Sequence, residues 1–308
     1  MREVTILDGG TGRQLQRIGA PFRQPEWSAL ALIEGPQFVS QVHADFIAAG
    51  AQGITTNSYA LVPFHLGAER HAASAAALAD LAGRLAREAV QGAASPVLVG
   101  GSLPPVCGSY RPDLFELAAA RPLLEVLVKA LRPYVDHWQG ETLSAIAEAE
   151  LLRSVVGDDG KPVWISFTLA DDATRGPVPT LRSGETVEDA VLAAVRLGAS
   201  VVLFNCSQPE VMGAAVDVAV ATLAKAGVFA QSSKEAGVRI GVYANAFPPM
   251  SADAAANEGL SDIRADLDPA GYLDWARDWV RRGASLVGGC CGIGPEHIAE
   301  LRRAFPAA

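Results

Sequence analysis

Eight short apolar runs along the chain constrain its fold more than any other feature of the sequence. Most are five to eight residues long and are bounded by Gly, Pro or polar residues. Their apolar character is continuous rather than alternating, which is typical of parallel strands buried on both faces. The runs lie at residues 4–9, 53–59, 96–102, 134–140, 162–169, 200–206, 238–245 and 285–290.

Segments with helical spacing separate these runs. Helices are predicted around residues 38–46, 72–91, 114–131, 143–155, 187–197, 209–226, 270–282 and 295–305. Pro112 and Asp113 are interpreted as a helix start, and Gly50, Gly198 and Gly283 as helix ends that lead into strands.

Eight alternating β and α units in 308 residues predict an α/β fold, a closed (β/α)8 TIM barrel. An open doubly wound sheet is the alternative. The pattern is least regular at 227–268, where polar excursions surround the seventh strand. No linker or change of composition marks a second domain, so we expect residues 1–308 to form one domain.

The charge pattern and the amino terminus exclude several classes of protein. The formal net charge is −9, and no basic stripe is available to bind nucleic acid or anionic lipid. No apolar run reaches the roughly 18 residues that span a bilayer, and the start "MREVTILDGG" lacks the apolar stretch of a signal peptide. We therefore expect a cytoplasmic protein with small-molecule partners.

Polar and reactive residues cluster where the predicted strands end. Because active sites of such barrels lie at the carboxyl ends of the strands, this placement predicts an enzyme. The residues are Asp8, Asn57, Tyr59, Ser102, Asn205, Cys206, Asn245, Cys290 and Cys291, with Glu141 expected just after strand four.

Three of the four cysteines lie at the ends of strands six and eight. Although 84 positions separate Cys206 from Cys290, only one strand lies between these two strand ends in a barrel. Cys206, Cys290 and Cys291 can therefore converge on one Zn²⁺ ion and leave its fourth position open.

Adjacent cysteines face one ion only if the backbone turns sharply, which the neighbouring Gly288, Gly289 and Gly292 permit. The alternatives are ordinary buried or reactive cysteines, or a disulfide between neighbours, which a reducing compartment disfavours. Cys107, after strand three, is interpreted as a core residue.

Five stretches of the sequence together resemble the homocysteine S-methyltransferases. They are "LDGGTGRQLQRIG" near the start, "TTNSYA" at 55–60, "ET" at 141–142 with the following "AIAEAE", "FNCS" at 204–207 and "GGCCGIGPEHI" at 288–298. The stretches occur in the family's order, from residue 5 to about 300.

The resemblance implies a zinc-dependent barrel in which Cys206, Cys290 and Cys291 bind Zn²⁺ and homocysteine supplies the fourth sulfur. A methyl group from a small onium donor would pass to the homocysteine thiolate, giving methionine. The chemistry agrees, because a free thiol has a pKa of about 8.5 and a bound divalent metal removes its proton.

The resemblance also assigns the amino-acid end of homocysteine. Glu141 suits its ammonium group, and Asp8 with the backbone N–H groups of Gly9 and Gly10 matches the family's strand-one motif. Further substrate contacts are expected from Asn57, Asn205 and Asn245.

The methyl donor is predicted from aromatic residues. Trp27 and Tyr59 lie where betaine-using relatives place donor contacts, but Thr142 stands where those relatives have Tyr. S-methylmethionine or S-adenosylmethionine is therefore favoured over betaine. Three other aromatic residues are interpreted as packing: Phe64, Tyr110 and Trp138.

Two other functions are compatible with these residues. One is methyl transfer to selenocysteine or another thiol or selenol through the same zinc. The other is a non-catalytic zinc-binding or redox-sensing barrel. Because the chain ends soon after the eighth predicted helix, no cobalamin or folate domain is expected.

Overall fold

The computed structural model describes residues 3–172, 176–248 and 262–306. All eight predicted strands occur in these ranges, and each overlaps its predicted run. They are β1 (Thr5–Ile6), β2 (Gly53–Thr55), β3 (Leu98–Leu103), β4 (His137–Leu143), β5 (Val163–Phe167), β6 (Val201–Asn205), β7 (Arg239–Tyr243) and β8 (Leu286–Val287). Within the irregular region predicted at 227–268, residues 249–261 lie outside the described residues.

All eight predicted helices are confirmed, as α3 and α5 to α11. Three short helices, α1, α2 and α4, were not predicted. The helices are α1 (Thr11–Arg17), α2 (Ala29–Glu34), α3 (Pro36–Ala48), α4 (Pro63–Leu66), α5 (Ala68–Gln91), α6 (Leu117–Leu131), α7 (Ile146–Val156), α8 (Val187–Arg196), α9 (Pro209–Lys225), α10 (Pro269–Arg282) and α11 (Pro295–Ala304). Within the described ranges, no helix is both long and apolar enough to cross a membrane.

One predicted helix start was wrong. Pro112 and Asp113 belong to a separate turn of 3₁₀ helix, and α6 begins only at Leu117. The Glu116 side chain caps α6 by accepting a hydrogen bond from the backbone N–H of Ala119 at 2.9 Å. This carboxylate satisfies an N–H group that the first turn leaves without a helical partner, so it sets the start of the helix.

The strands form a closed parallel barrel. Their order is β1-β8-β7-β6-β5-β4-β3-β2, and every pairing is parallel. Leu7 pairs with Gly53, and the backbone N–H of Asp8 donates to the Gly53 carbonyl at 2.9 Å, which joins β1 to β2. The predicted TIM barrel is therefore confirmed, and the alternative of an open doubly wound sheet was wrong.

Alternation along the strands divides the core into two layers. Side chains on one face of the strands pack against the helices in the larger layer, while those on the other face fill the barrel interior. The interior cluster consists of Leu7, Trp164, Val201, Leu203, Tyr243 and Leu286. Because side chains fill the interior, a ligand has room only above it, at the carboxyl ends of the strands.

Candidate metal centre and substrate pocket

The structure brings together the three cysteines predicted to form a site. Cys206 follows β6, and Cys290 and Cys291 follow β8. The Sγ atom of Cys206 lies 2.7 Å from that of Cys290 and 3.9 Å from that of Cys291, and all three sulfurs lie within 4.8 Å of one another. Cys107, half-buried against the core, is not in this group.

The three thiols differ in how readily they ionise. Hydrogen bonds from Cys290 and Cys291 lower the pKa of the Cys206 thiol well below its usual range, while contact with Cys206 raises the pKa of the other two. Three thiolates at these distances repel one another unless a cation lies among them. Cysteine sulfurs are ligands that Zn²⁺ prefers, and three of them leave its fourth position open.

Two backbone turns bring these sulfurs to one point. Cys206 has a φ of +52°, a left-handed conformation that is uncommon for any residue but glycine. After the cysteine pair, Gly292 turns the chain with a φ of +86°. The Cys290 N–H donates to the Ala244 carbonyl at 2.9 Å, and Cys291 accepts from the N–H of Ala246 at 2.8 Å, so both cysteines are tied to the chain after β7.

The predicted role of the other two glycines needs correction. Gly288 and Gly289 do not have positive φ angles; they matter because their neighbours are too close for a side chain. A Cβ on Gly289 would lie 2.1 Å from Cγ2 of Ile293, and one on Gly288 would lie 2.6 Å from Cβ of Leu7. Only the turn at Gly292 depends on the conformational freedom of glycine.

Two carboxyl groups, the buried Asp8 and the half-buried Glu141, line the same pocket as the cysteines. Asp8 accepts hydrogen bonds at Oδ2 from the N–H of Thr55 at 2.8 Å and from its hydroxyl at 3.2 Å, and Glu141 accepts from the Ser102 hydroxyl at 2.5 Å. Burial raises the pKa of Asp8 from 3.8 to about 8 and that of Glu141 from 4.5 to about 7. Neither carboxyl group has a cationic partner among the described residues, so both are available to a cationic ligand.

Glu141 lies within β4, not after it as predicted. The register of β4 shifts between Gly140 and Leu143, and Thr142 has a φ of +62°, which is strained for a β-branched residue. Asn205 supports this kink, because its side-chain oxygen accepts from the Thr142 N–H at 3.1 Å and its NH₂ group donates to the Thr142 hydroxyl at 2.8 Å. Glu141 follows Gln139 on the same face of the strand, and Gln139 donates to the Tyr243 hydroxyl inside the barrel at 3.1 Å, so strand alternation points Glu141 towards the pocket.

Aromatic residues form another wall of the pocket. Trp27 and Tyr59 meet edge to face, with ring centroids 6.0 Å apart, and the Tyr59 hydroxyl shares a 2.7 Å hydrogen bond with that of Ser109. Tyr110, interpreted from sequence as packing, also lines the pocket, as does Tyr243. Tyr243 ends β7, two residues before the end of the predicted run, and a tyrosine near the end of a strand was the signal that the prediction overlooked.

Ten of the twelve predicted site residues line this one pocket: Asp8, Gly9, Gly10, Trp27, Asn57, Tyr59, Glu141, Cys206, Cys290 and Cys291. Asn205 and Asn245 do not line it. Asn205 is engaged by Thr142, and the side-chain oxygen of Asn245 accepts from the N–H of Phe247 at 3.2 Å. Both side-chain oxygens thus accept hydrogen bonds from backbone N–H groups near the strand ends.

Three smaller predictions can also be placed. Phe64 and Trp138 do not line the pocket; Phe64 packs against His65, and the Trp138 indole donates to Asp159, so the packing interpretation holds for both. The N–H of Gly10, expected to bind a carboxylate, already donates to the Ile293 carbonyl at 2.9 Å.

Comparison with known proteins identifies relatives over nearly the whole chain. The family model described as homocysteine S-methyltransferase matches residues 5–305. The homocysteine S-methyltransferase of Escherichia coli (strain K12) is 28% identical over 325 residues, which cover 98% of this chain and 95% of that protein. The selenocysteine methyltransferase of Astragalus bisulcatus is 26% identical, with 97% and 91% covered.

A solved structure shows the same architecture. The metallated form of the homocysteine methyltransferase MmuM from Escherichia coli superposes with a TM-score of 0.75 at 27% sequence identity. The superposition covers 98% of this chain and 96% of that one. The likeness therefore extends over the whole barrel.

Proposed function

The chain belongs to the homocysteine S-methyltransferase family, and we propose that its pocket transfers a methyl group to the sulfur of homocysteine, giving methionine. One observation carries this proposal: three clustered cysteine sulfurs and two carboxyl groups, those of Asp8 and Glu141, line the same pocket. A thiol substrate that also bears an ammonium group matches both ends of that pocket. We assign residues 1–308 to one homocysteine-binding domain and place the enzyme in the cytoplasm.

The sulfur end of the pocket is proposed to hold Zn²⁺ through Cys206, Cys290 and Cys291. Zinc bound there lowers the pKa of a substrate thiol, so that a thiolate is available at neutral pH. The protein's own task is to keep three sulfurs together and to leave one side of the cluster open to the pocket.

At the other end, Glu141 and Asp8 are proposed to bind the ammonium group of homocysteine. Each carboxyl group is fixed by hydrogen bonds, from Ser102 and Thr55 respectively, so little conformational freedom is lost on binding. The ammonium ion would favour their ionised forms and lower the raised pKa values. Gly9 is left to supply a backbone N–H to the carboxylate, because the N–H of Gly10 is engaged.

The donor is proposed to be a small sulfonium compound, S-methylmethionine or S-adenosylmethionine. The rings of Trp27, Tyr59 and Tyr110 line the pocket beside the cysteines, and aromatic faces attract onium groups. In the transfer, the homocysteine sulfur forms a bond to the methyl carbon while the donor's S–CH₃ bond breaks. The donor leaves as a neutral thioether, and no covalent intermediate with the enzyme is needed.

A second acceptor is supported by one relative. The protein from Astragalus bisulcatus is named for selenocysteine, and it is 26% identical to this chain. A selenol can use the same cysteine cluster, so selenocysteine is the alternative acceptor. A barrel that only stores zinc or senses redox state would have no use for Asp8 and Glu141.

A donor screen tests the proposal. Purified enzyme is incubated with one acceptor, homocysteine or selenocysteine, together with one donor, S-methylmethionine, S-adenosylmethionine or betaine. Each acceptor–donor pair is assayed in a separate reaction, and the methylated product is followed by mass spectrometry. We expect methionine from homocysteine and a sulfonium donor, loss of activity in Cys206→Ser, and normal activity in the matched control Cys107→Ser. Bound zinc without turnover on any pair would contradict the proposal and favour storage.

A further inference from the structure

A buried ion pair lies at the rim of the pocket, in the segment between β5 and α8. The Nη2 atom of Arg182 lies 2.8 Å from Oδ1 of Asp171, and the two side chains are only 5% and 0% exposed. Burying two charges costs about as much free energy as their attraction returns, so such a pair contributes little to stability. Its position beside the cysteines points instead to a role in holding nearby residues of the pocket in place.

One side of the pair supports the chain segment that carries Cys206. Oδ2 of Asp171 accepts a hydrogen bond from the N–H of Gln208 at 3.0 Å, two residues after the cysteine. Nε of Arg182 donates to the Thr168 hydroxyl at 3.3 Å, and that hydroxyl donates to the Cys206 carbonyl at 3.4 Å. The strained left-handed turn at Cys206 is therefore anchored through its own carbonyl and through the residue two positions on.

The other side of the pair faces an aromatic wall of the pocket. The guanidinium carbon of Arg182 lies 4.5 Å from the centre of the Tyr110 ring. Tyr110 also has a left-handed backbone, with a φ of +64°, and lines the same pocket as Cys206. One guanidinium group thus contacts the Tyr110 ring directly and supports the segment that carries Cys206 through Thr168 and Asp171.

We infer that Arg182 and Asp171 are positioning residues that set the geometry of Cys206 and Tyr110 at the metal centre. The inference rests on the proposed metal site and adds to it the two residues that fix the isolated third sulfur. Cys290 and Cys291 are set by glycines and by backbone hydrogen bonds to the chain after β7. Cys206 has no adjacent glycine, and side chains from the segment after β5 hold its backbone instead.

The test compares metal affinity in Arg182→Met with that in the unaltered enzyme. Groups that orient metal ligands typically account for 10- to 100-fold in affinity, so we expect a loss of about that size. Zn²⁺ affinity is measured by competition with a chromophoric chelator. In Co²⁺-loaded samples, the thiolate-to-metal absorption band should also shift, which a general loss of stability would not cause.

Arg132→Met is the matched control. Arg132 pairs with Asp159 and lies 5.6 Å from the centre of the Trp138 ring, so it makes the same kinds of contact at the amino ends of the strands. Its replacement should leave metal affinity and the cobalt spectrum unchanged. An equal loss of affinity in both variants would overturn the inference, because it would reflect stability alone.

A double variant, Asp171→Leu with Arg182→Met, covers the case in which Arg182→Met fails to fold, since it leaves no unpaired buried charge. We expect it to fold and still to bind Zn²⁺ more weakly. Unchanged affinity in the folded variants would overturn the positioning role alone. Failure of the unaltered enzyme to bind Zn²⁺ would instead overturn the metal centre, and the positioning role with it.

Discussion

Both ends of the pocket hold several acidic groups close together, but different structural features hold them in place. At the sulfur end, backbone turns at Cys206 and Gly292 bring three thiols within 4.8 Å of one another. At the carboxyl end, hydrogen bonds from Thr55 and Ser102 fix two acids, Asp8 after β1 and Glu141 on β4. Each end brings acidic groups close together, and we propose that a cation binds at each.

The two ends differ in the cation that each is proposed to bind. Sulfur ligands in a tight cluster select a soft divalent metal, whereas carboxylates with single hydrogen-bond donors suit an ammonium group. The metal end should therefore be a permanent part of the enzyme, and the carboxyl end should be completed only when the substrate binds. Substitutions should therefore be able to alter one end and leave the other unchanged.

Among substitutions expected to affect only one end of the pocket, Glu141→Gln should have the largest effect. Gln keeps the shape of the side chain and can still accept from Ser102, but it loses the charge that attracts the substrate ammonium group. A hydrogen bond to a charged group contributes about 1.5–3 kcal/mol, so KM for homocysteine should rise roughly 10- to 100-fold. Steady-state kinetics measure KM, and chelator competition should show unchanged affinity for Zn²⁺.

The exposed Glu188→Gln on α8 is the matched control for this substitution, and it should leave KM unchanged. A fall in metal affinity with Glu141→Gln would show that the two ends are one coupled unit. An unchanged KM would remove Glu141 from the substrate site.

A second effect is expected on the pH dependence of stability. In the ligand-free enzyme, burial raises the pKa of Asp8 to about 8 and that of Glu141 to about 7, so the folded chain retains protons that the unfolded chain has lost. The free energy of unfolding should therefore fall as pH rises from about 4 to these values. The slope is at most about 1.4 kcal/mol per pH unit for each carboxyl group.

Urea unfolding of metal-free enzyme at a series of pH values measures this slope. It should be shallower in the double variant Asp8→Asn with Glu141→Gln, because neither substituted side chain titrates. The same slope in the variant and the unaltered enzyme would show that other groups cause the dependence.

Much of this architecture was predictable from local patterns in the sequence. Continuous apolar runs located all eight strands, because burial on both faces leaves that pattern whatever the tertiary contacts are. The cysteine pair was recognisable for a similar reason, since glycines beside Cys290 and Cys291 indicate a crowded turn. In a barrel, strand order alone then brings Cys206 to them.

The parts that sequence did not predict depend on long-range contacts. The left-handed backbones of Cys206, Tyr110 and Thr142 have no local signal, because none of these residues favours that conformation. Asn205 was expected to face a ligand, but it supports Thr142 from a strand 63 positions away in sequence. Tyr110 was interpreted as packing because its place beside the cysteines depends on contacts with distant residues such as Arg182.

The central claim is that Cys206, Cys290 and Cys291 hold a metal whose remaining position is taken by the substrate sulfur. X-ray absorption at the zinc edge counts the sulfur atoms around the metal, with and without homocysteine. We predict three sulfurs in the enzyme alone and four after homocysteine is added. Fewer than three sulfurs, or a count that homocysteine leaves unchanged, would contradict the claim.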